Sequence, residues 1–224
     1  MYATMKKPKA VIFDMDGVLV DTEPFHYENE NRMFRKLGLE VAEDEHARFV
    51  GVATDRMWHY LVESRNLPHT VAALTEMTIK QGLETLQLLE NLPVSPGLVE
   101  LLEKFCELKM PLAVATSSDA ETMRFILQKT GLKKYFQIAV CRNDVVKSKP
   151  APDVFLKAAL LMNVAPADCL VFEDSRNGIA AAKAAGMLCI AYSGSRGQQN
   201  QSAADEFIVS FSEVNAARFE WMTD

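Results

Sequence analysis

Several things are scarce in this 224-residue sequence, and each scarcity narrows what it can be. The four cysteines, Cys106, Cys141, Cys169 and Cys189, are scattered and form no C-x-x-C pair. Neither zinc-ligand spacing nor a disulfide framework is available, so they are expected to be small buried residues of a reduced, cytoplasmic protein. No apolar run approaches the roughly 20 residues of a membrane helix, so no membrane partner is expected. The first apolar stretch is cut short at Asp14, which is not the pattern of a secretory signal. Positive charge is also in deficit. Lys and Arg number 24 against 30 Asp and Glu, a net charge of -6, which argues against nucleic acid as the main partner. A local basic pocket for a small anion is compatible with that balance. No internal repeat or low-complexity segment is visible, and Gln198–Ser202 reads as a polar loop.

What is present is an ordinary globular composition, 49% hydrophobic and 24% charged, on a chain long enough to bury a core without staples. Apolar, β-branched runs recur, each ending in polar residues. Ala10–Phe13 runs into Asp14, Leu112–Ala115 into Thr116, Leu170–Phe172 into Glu173, and Leu188–Ala191 into Tyr192 and Ser193. Continuous runs of this kind suit strands buried on both faces of a parallel sheet. Helical patterns lie between them at Thr122–Thr130, ahead of Gly131, at Pro152–Met162, and at Asn177–Ala185, ahead of Gly186. The alternation predicts an α/β fold with crossover helices, in which the polar residues at strand carboxyl ends share one rim. The stretch from about Thr22 to Pro93 reads differently. It carries helical patterns at Phe25–Leu37, Asp55–Arg65 and Val71–Leu89 and no convincing strand, as an inserted helical domain would.

Chemistry gathers at the strand ends. Asp14 and Asp16 stand two apart directly after the first strand, and Gly17 permits the backbone to turn there. One carboxylate can act as a covalent nucleophile while a second moves protons. A calcium-loop reading of D-x-D-G fails because the twelfth position from Asp14 is Phe25, where a glutamate is needed. Thr116, Ser117 and Ser118 follow the second strand. Lys149 sits in a proline-rich turn, KPAP. Glu173 and Asp174 close a further strand ahead of Ser175 and Gly178. Helix capping would account for parts of this, with Ser118 or Asp119 capping the helix over 122–130. It does not account for all four elements falling at strand ends in this order. Clustered carboxylates resist ionising unless a cation relieves them, and hard oxygen ligands suit Mg²⁺. Together with a lysine, such a cation can neutralise a transferring phosphoryl group.

DMDGVLVDTE, ATSS, KPAPD and FEDSRNG, spread over positions 10 to 178, resemble the four motifs of the haloacid-dehalogenase (HAD) superfamily. Their order, with a helical insert after the first, is similar to the branch holding phosphoglycolate phosphatase, sugar-phosphate phosphatases and β-phosphoglucomutase. The resemblance implies a Rossmann-like parallel-sheet core over 1–21 and 94–224 and a helical-bundle cap over 22–93. It implies Asp14 as nucleophile and Mg²⁺ ligand. Asp16 would be the general acid/base and would also ligate through its backbone carbonyl. Thr116 and Lys149 would hold the phosphoryl group with Ser117 and Ser118 near it. Asp174 would bind Mg²⁺ and Glu173 would bind or orient it. An acid at position 16 points to phosphate-ester hydrolysis or mutase chemistry within the superfamily.

The cap residues to watch are His26, Thr54, Arg56 and Lys80. His26 matches a histidine of β-phosphoglucomutases, but two features depart from that family. In Gly51-Val52-Ala53-Thr54-Asp55-Arg56, threonine stands where the mutases carry an arginine that grips the second phosphate. Asp119 stands where they carry a lysine. The expectation is therefore a phosphatase of a small phosphorylated metabolite, a sugar phosphate first among them, acting as a monomer or weak homodimer. A phosphohexomutase and a non-catalytic binding protein on the same scaffold are the alternatives.

Overall fold

The computed structural model describes residues 7–49, 52–194, 203–215 and 218–219. The expected polar loop at Gln198–Ser202 and Gly51 of the cap loop lie outside the described residues. Strands form at β1 (Ala10–Phe13), β2 (Leu112–Ala115), β3 (Ile138–Val140), β4 (Cys169–Glu173), β5 (Leu188–Tyr192) and β6 (Glu206–Ile208). Helices form at α1 (Glu23–Lys36), α2 (Glu43–His46), α3 (Thr54–Arg65), α4 (Val71–Leu88), α5 (Leu98–Glu107), α6 (Ala120–Lys129), α7 (Asp153–Met162) and α8 (Arg176–Ala184). None of the described helices is long and apolar enough to cross a membrane. The chain divides into two compact units, 1–21 with 92–224, and 22–91.

All strand pairs of the first unit are parallel, in the order β3-β2-β1-β4-β5-β6. β1, β2 and β4 are buried at every position, which is why β1, β2 and β4 up to Phe172 are unbroken apolar runs. Strand alternation then divides their side chains between two cores. Ala10, Ile12, Ala113, Ala115, Val171, Cys189 and Ala191 meet Val154, Phe155 and Ala158 of α7 and Ile179 and Ala182 of α8. Phe13 belongs to the other face. Its ring stacks on Phe172 (4.9 Å, 16°) and tilts against Phe105 of α5 and Phe211, both 6.3 Å away. The helix ends follow local chemistry. Gly131 and Gly186, just past α6 and α8, take positive φ of 71° and 74°, where a side chain would strain the backbone.

The second unit is an insert of α1–α4 with its own apolar centre: Met33, Phe34, Met57, Trp58, Leu61 and Leu74. Much of its polar interior is paired internally, although the Thr75 hydroxyl is buried without a hydrogen bond. The Trp58 indole N–H donates to Thr78 Oγ1 (2.8 Å), which donates to the Leu74 carbonyl (2.8 Å). Asn29 Nδ2 donates to the Thr78 carbonyl (3.1 Å), and Gln81 Nε2 donates to Asn29 Oδ1 (2.9 Å). Buried His46 pairs with Glu30 at 2.6 Å and stacks on Tyr27.

One expectation needs correction. Cys106 is exposed near the carboxyl end of α5, whereas Cys141, Cys169 and Cys189 are buried. In α5 the residues Leu98, Leu101, Leu102 and Phe105 hold the buried stripe, and Cys106 falls outside it.

Candidate active site

The strand order reverses direction at the β1–β4 pair, with β2 on the other side of β1. In open α/β sheets the crevice beyond the strand carboxyl ends at such a point is where a site is built. The register carries the chemistry there. Phe13 pairs with Phe172 and with Val114, so the next residues, Asp14 and Glu173, lie side by side. The Asp14 amide extends the ladder by donating to the Phe172 carbonyl (3.0 Å), and the Thr116 amide does the same to Val140 (3.0 Å). Asp14 and Glu173 continue the alternation of Ile12 and Val171 and so face the α7–α8 side of the sheet.

Lys149 meets them on that side. Its ammonium donates to Asp14 Oδ1 at 2.6 Å and to Glu173 Oε1 at 2.7 Å, and lies 4.7 Å from the centre of the Phe155 ring. All three charged residues are at least nine-tenths buried. Burial pushes the Asp14 carboxyl up to about 7, against the pull of Lys149, with the charges of Glu173 and Asp16 adding to the rise. Burial alone would lower the Lys149 ammonium, but Asp14 and Glu173 outweigh it, and the group is held above its ordinary range. Lys149 therefore stays charged, while Asp14 is short of positive neighbours.

That shortage bears on a cation. Oxygen atoms of Asp14, Glu173 and Asp174 lie within 4.8 Å of one another. The donor set is all oxygen and its carboxylates outnumber the one lysine among them, which suits a hard divalent ion. Both Glu173 oxygens are engaged by protein donors. Oε1 accepts from Lys149, and Oε2 accepts from the Ser175 amide (2.7 Å) and hydroxyl (3.0 Å). Only remaining lone pairs are available to a metal, so Glu173 fixes Lys149 whatever else it does.

Two residues that follow Glu173 fix where its carboxylate lies. Ser175 caps α8, accepting from the Gly178 amide (3.1 Å), while it also holds Glu173. A Cβ built on Gly178 would lie 1.6 Å from Glu173 Oε1 and 1.9 Å from its carboxyl carbon. Gly178 is thus the space that the glutamate occupies beneath the first turn of α8. The pattern of a strand-end acid with a glycine five residues on is the one available signal. It can be interpreted only once the helix is known to cross over the strand end.

On the other flank, Gly17 takes a φ of 80° and its amide donates to Val20 (2.7 Å), turning the chain after Asp16. Asp16 Oδ2 accepts from Ser118 Oγ (2.7 Å) and Thr116 Oγ1 (3.3 Å). Of the two residues expected to cap α6, it is Asp119 that does so. Its Oδ1 accepts from the Glu121 and Thr122 amides (2.9 and 3.1 Å) and its Oδ2 from the Thr122 hydroxyl (2.7 Å). Ser118 is left to Asp16, and the Asp119 charge is directed into the amino terminus of the helix. Ser117 is half-buried between them. The structure thus brings Asp14, Lys149 and Glu173 into direct contact, Asp174 beside them, and Asp16, Thr116 and Ser118 into a second contact set. His26, Thr54, Arg56 and Lys80 belong to the inserted unit. His26 and Thr54 are half-buried, on α1 and at the start of α3, while Arg56 on α3 and Lys80 on α4 are exposed.

Residues 11–192 match the family described as haloacid dehalogenase-like hydrolase. The chain is 36% identical over 179 residues to the phosphorylated carbohydrates phosphatase of Thermotoga maritima, covering 80% of this chain and 82% of that protein. It is 29% identical over 188 residues to the β-phosphoglucomutase of Bacillus subtilis (strain 168), covering 81% and 82%. The crystal structure of CbbY from Rhodobacter sphaeroides in complex with phosphate is similar at a TM-score of 0.84 over 95% of this chain and 99% of that one. At 23% identity it speaks for the fold alone.

Proposed function

This chain belongs to the haloacid dehalogenase-like hydrolase family, and from that premise we propose that it is a Mg²⁺-dependent phosphatase of small phosphorylated metabolites, sugar phosphates above all. The observation that carries the reading is the Lys149 ammonium bound at once to Asp14 and Glu173, with the Asp16 carboxylate held by hydroxyls on the flank. The phosphatase acting on phosphorylated carbohydrates, at 36% identity, supports the substrate class.

In the first half-reaction an Asp14 carboxylate oxygen attacks phosphorus, the ester P–O bond breaks, and Asp16 gives a proton to the leaving sugar oxygen. In the second, water attacks the phosphorus of phospho-Asp14. Asp16 takes the water's proton, the bond to Asp14 breaks, and phosphate leaves with both carboxyl groups restored. Lys149 orients Asp14 before attack and offers positive charge to the phosphoryl oxygens. Thr116 adds a hydroxyl donor and Ser117 a backbone donor. Bound by Asp14, Asp174 and the Asp16 carbonyl, with Glu173 beside them, Mg²⁺ would supply further charge neutralisation to the transferring group. Choice among substrates would rest with His26, Thr54, Arg56 and Lys80 of the insert, as the family resemblance implies.

The deciding experiment assays purified protein against a panel of sugar phosphates and p-nitrophenyl phosphate, after EDTA treatment and again with Mg²⁺ restored. Free phosphate released only with the metal is the expected result. Rapid conversion of β-glucose 1-phosphate to glucose 6-phosphate with a trace of bisphosphate, and little free phosphate, would make the protein a mutase. No turnover of any ester would leave a binding protein on a hydrolase scaffold.

A further inference from the structure

Ser118 is the hydroxyl whose job the geometry changes. The sequence places it among the groups that hold substrate. In the structure its Oγ lies 2.7 Å from Asp16 Oδ2, the tighter of the two hydroxyl contacts to that oxygen, against 3.3 Å for Thr116. A serine hydroxyl has one hydrogen to donate. If that hydrogen goes to Asp16, none remains for a phosphoryl oxygen. The backbone on either side fixes where Ser118 stands. Its amide donates to Thr116 Oγ1 (3.0 Å) and its carbonyl accepts from the Arg142 amide (3.0 Å). The helix that follows makes no demand on it, because Asp119 does the capping. Asp16 is half-buried where the chain turns at positive-φ Gly17, and a contact to its carboxylate selects among the side-chain rotamers open there.

We propose that Ser118 is a positioning residue for Asp16, holding Oδ2 as an acceptor so that Oδ1 carries the transferable proton in both half-reactions. The inference rests on the hydrolytic reading above. Its consequence is a dependence on the leaving group. A sugar oxygen departs as a poor leaving group and needs the proton at the right place. p-Nitrophenolate departs without one. kcat/KM reports the steps up to release of the first product, and so isolates the half-reaction in which this difference is felt.

The test compares wild type, Ser118→Ala and Ser118→Thr in Mg²⁺ on one sugar phosphate that wild type hydrolyses and on p-nitrophenyl phosphate. Loss of the contact lets Asp16 drift, and a misplacement near 1 Å costs up to about 10²-fold. Ser118→Ala should lower kcat/KM for the sugar phosphate by about 10- to 10²-fold and for p-nitrophenyl phosphate by no more than about threefold. Ser118→Thr, which keeps the hydroxyl, should restore most of the loss. Inhibition by inorganic phosphate should be the same in all three. An equal fall on both esters, no fall on either, or weakened inhibition by phosphate in Ser118→Ala would overturn the assignment, the last by making Ser118 a phosphate ligand after all. Wild type that hydrolyses neither ester would instead overturn the hydrolytic reading itself, and the Ser118 role with it.

Discussion

Both units of this molecule bury polar groups, but the groups differ in kind. In the helical insert they are mostly neutral donors and acceptors that close on one another: Trp58 to Thr78, Thr78 to Leu74, Asn29 to Thr78, Gln81 to Asn29. In the α/β unit they include, beside hydroxyls such as Thr116 and Thr122, three full charges, Asp14, Lys149 and Glu173, crowded at the sheet's carboxyl rim with more negative than positive charge. A satisfied neutral network selects one packing of four helices and asks nothing of a ligand. An unbalanced charged cluster is costly to bury and is relieved by what it binds. The nature of the buried polar group, more than its presence, separates architecture from chemistry here.

That contrast can be broken experimentally, and the strongest blow falls on the charged cluster. Asp14→Asn keeps the shape and removes the proposed nucleophile, so the proposed phosphatase activity should fall to background while thermal unfolding stays cooperative. Activity near the parent's would put the nucleophile elsewhere. Next in size is Gly178→Ala. The added methyl collides with the Glu173 carboxyl, so Glu173 or the first turn of α8 must move. Overpacking of this sort costs about 1–3 kcal/mol. Displacing a group that supports metal ligands weakens metal affinity by about 10- to 100-fold. Titration of activity against Mg²⁺ should show that shift, and an unchanged activation curve would free Gly178 of the role given to it. The smallest functional effect is expected in the insert. Asn29→Ala strands its network partners at a cost of about 1–3 kcal/mol of stability, seen in denaturant unfolding. kcat on p-nitrophenyl phosphate should stay near the parent's. A large loss of kcat without a loss of stability would erase the distinction between the two units.

How far the sequence could be read follows the same physics. β1, β2, β4 and β5 were legible because strands buried on both faces leave unbroken apolar runs. β3 and β6 are three-residue edge strands, only partly buried, and leave no such trace. α5 lies outside the helices expected from the sequence, although Leu98, Leu101, Leu102 and Phe105 mark its buried stripe. The residues at strand ends announced themselves because acids and a lysine there have no packing reason to exist. Ser175, Gly178 and Ser118 were visible as positions, but what they hold was not. Their roles depend on where a side chain from another segment arrives: Glu173 beneath α8, and Asp16 opposite the loop before α6. His46, buried against Glu30, is likewise a pairing that no local pattern encodes.

The order of the strands also sets a timetable for synthesis. Among the described strands β1 is made before the others and pairs with β2 on one edge and β4 on the other, so its second edge stays unpaired until Cys169–Glu173 has emerged from the ribosome. Lys149 reaches Asp14 across 135 positions of chain. The insert, continuous over 22–91, has every partner in hand long before that. An α/β unit of such long-range contacts folds late, after an insert that can already be complete. A nascent chain halted before β4 would carry finished helices and an open sheet edge, the kind of surface that chaperones and aggregation both find.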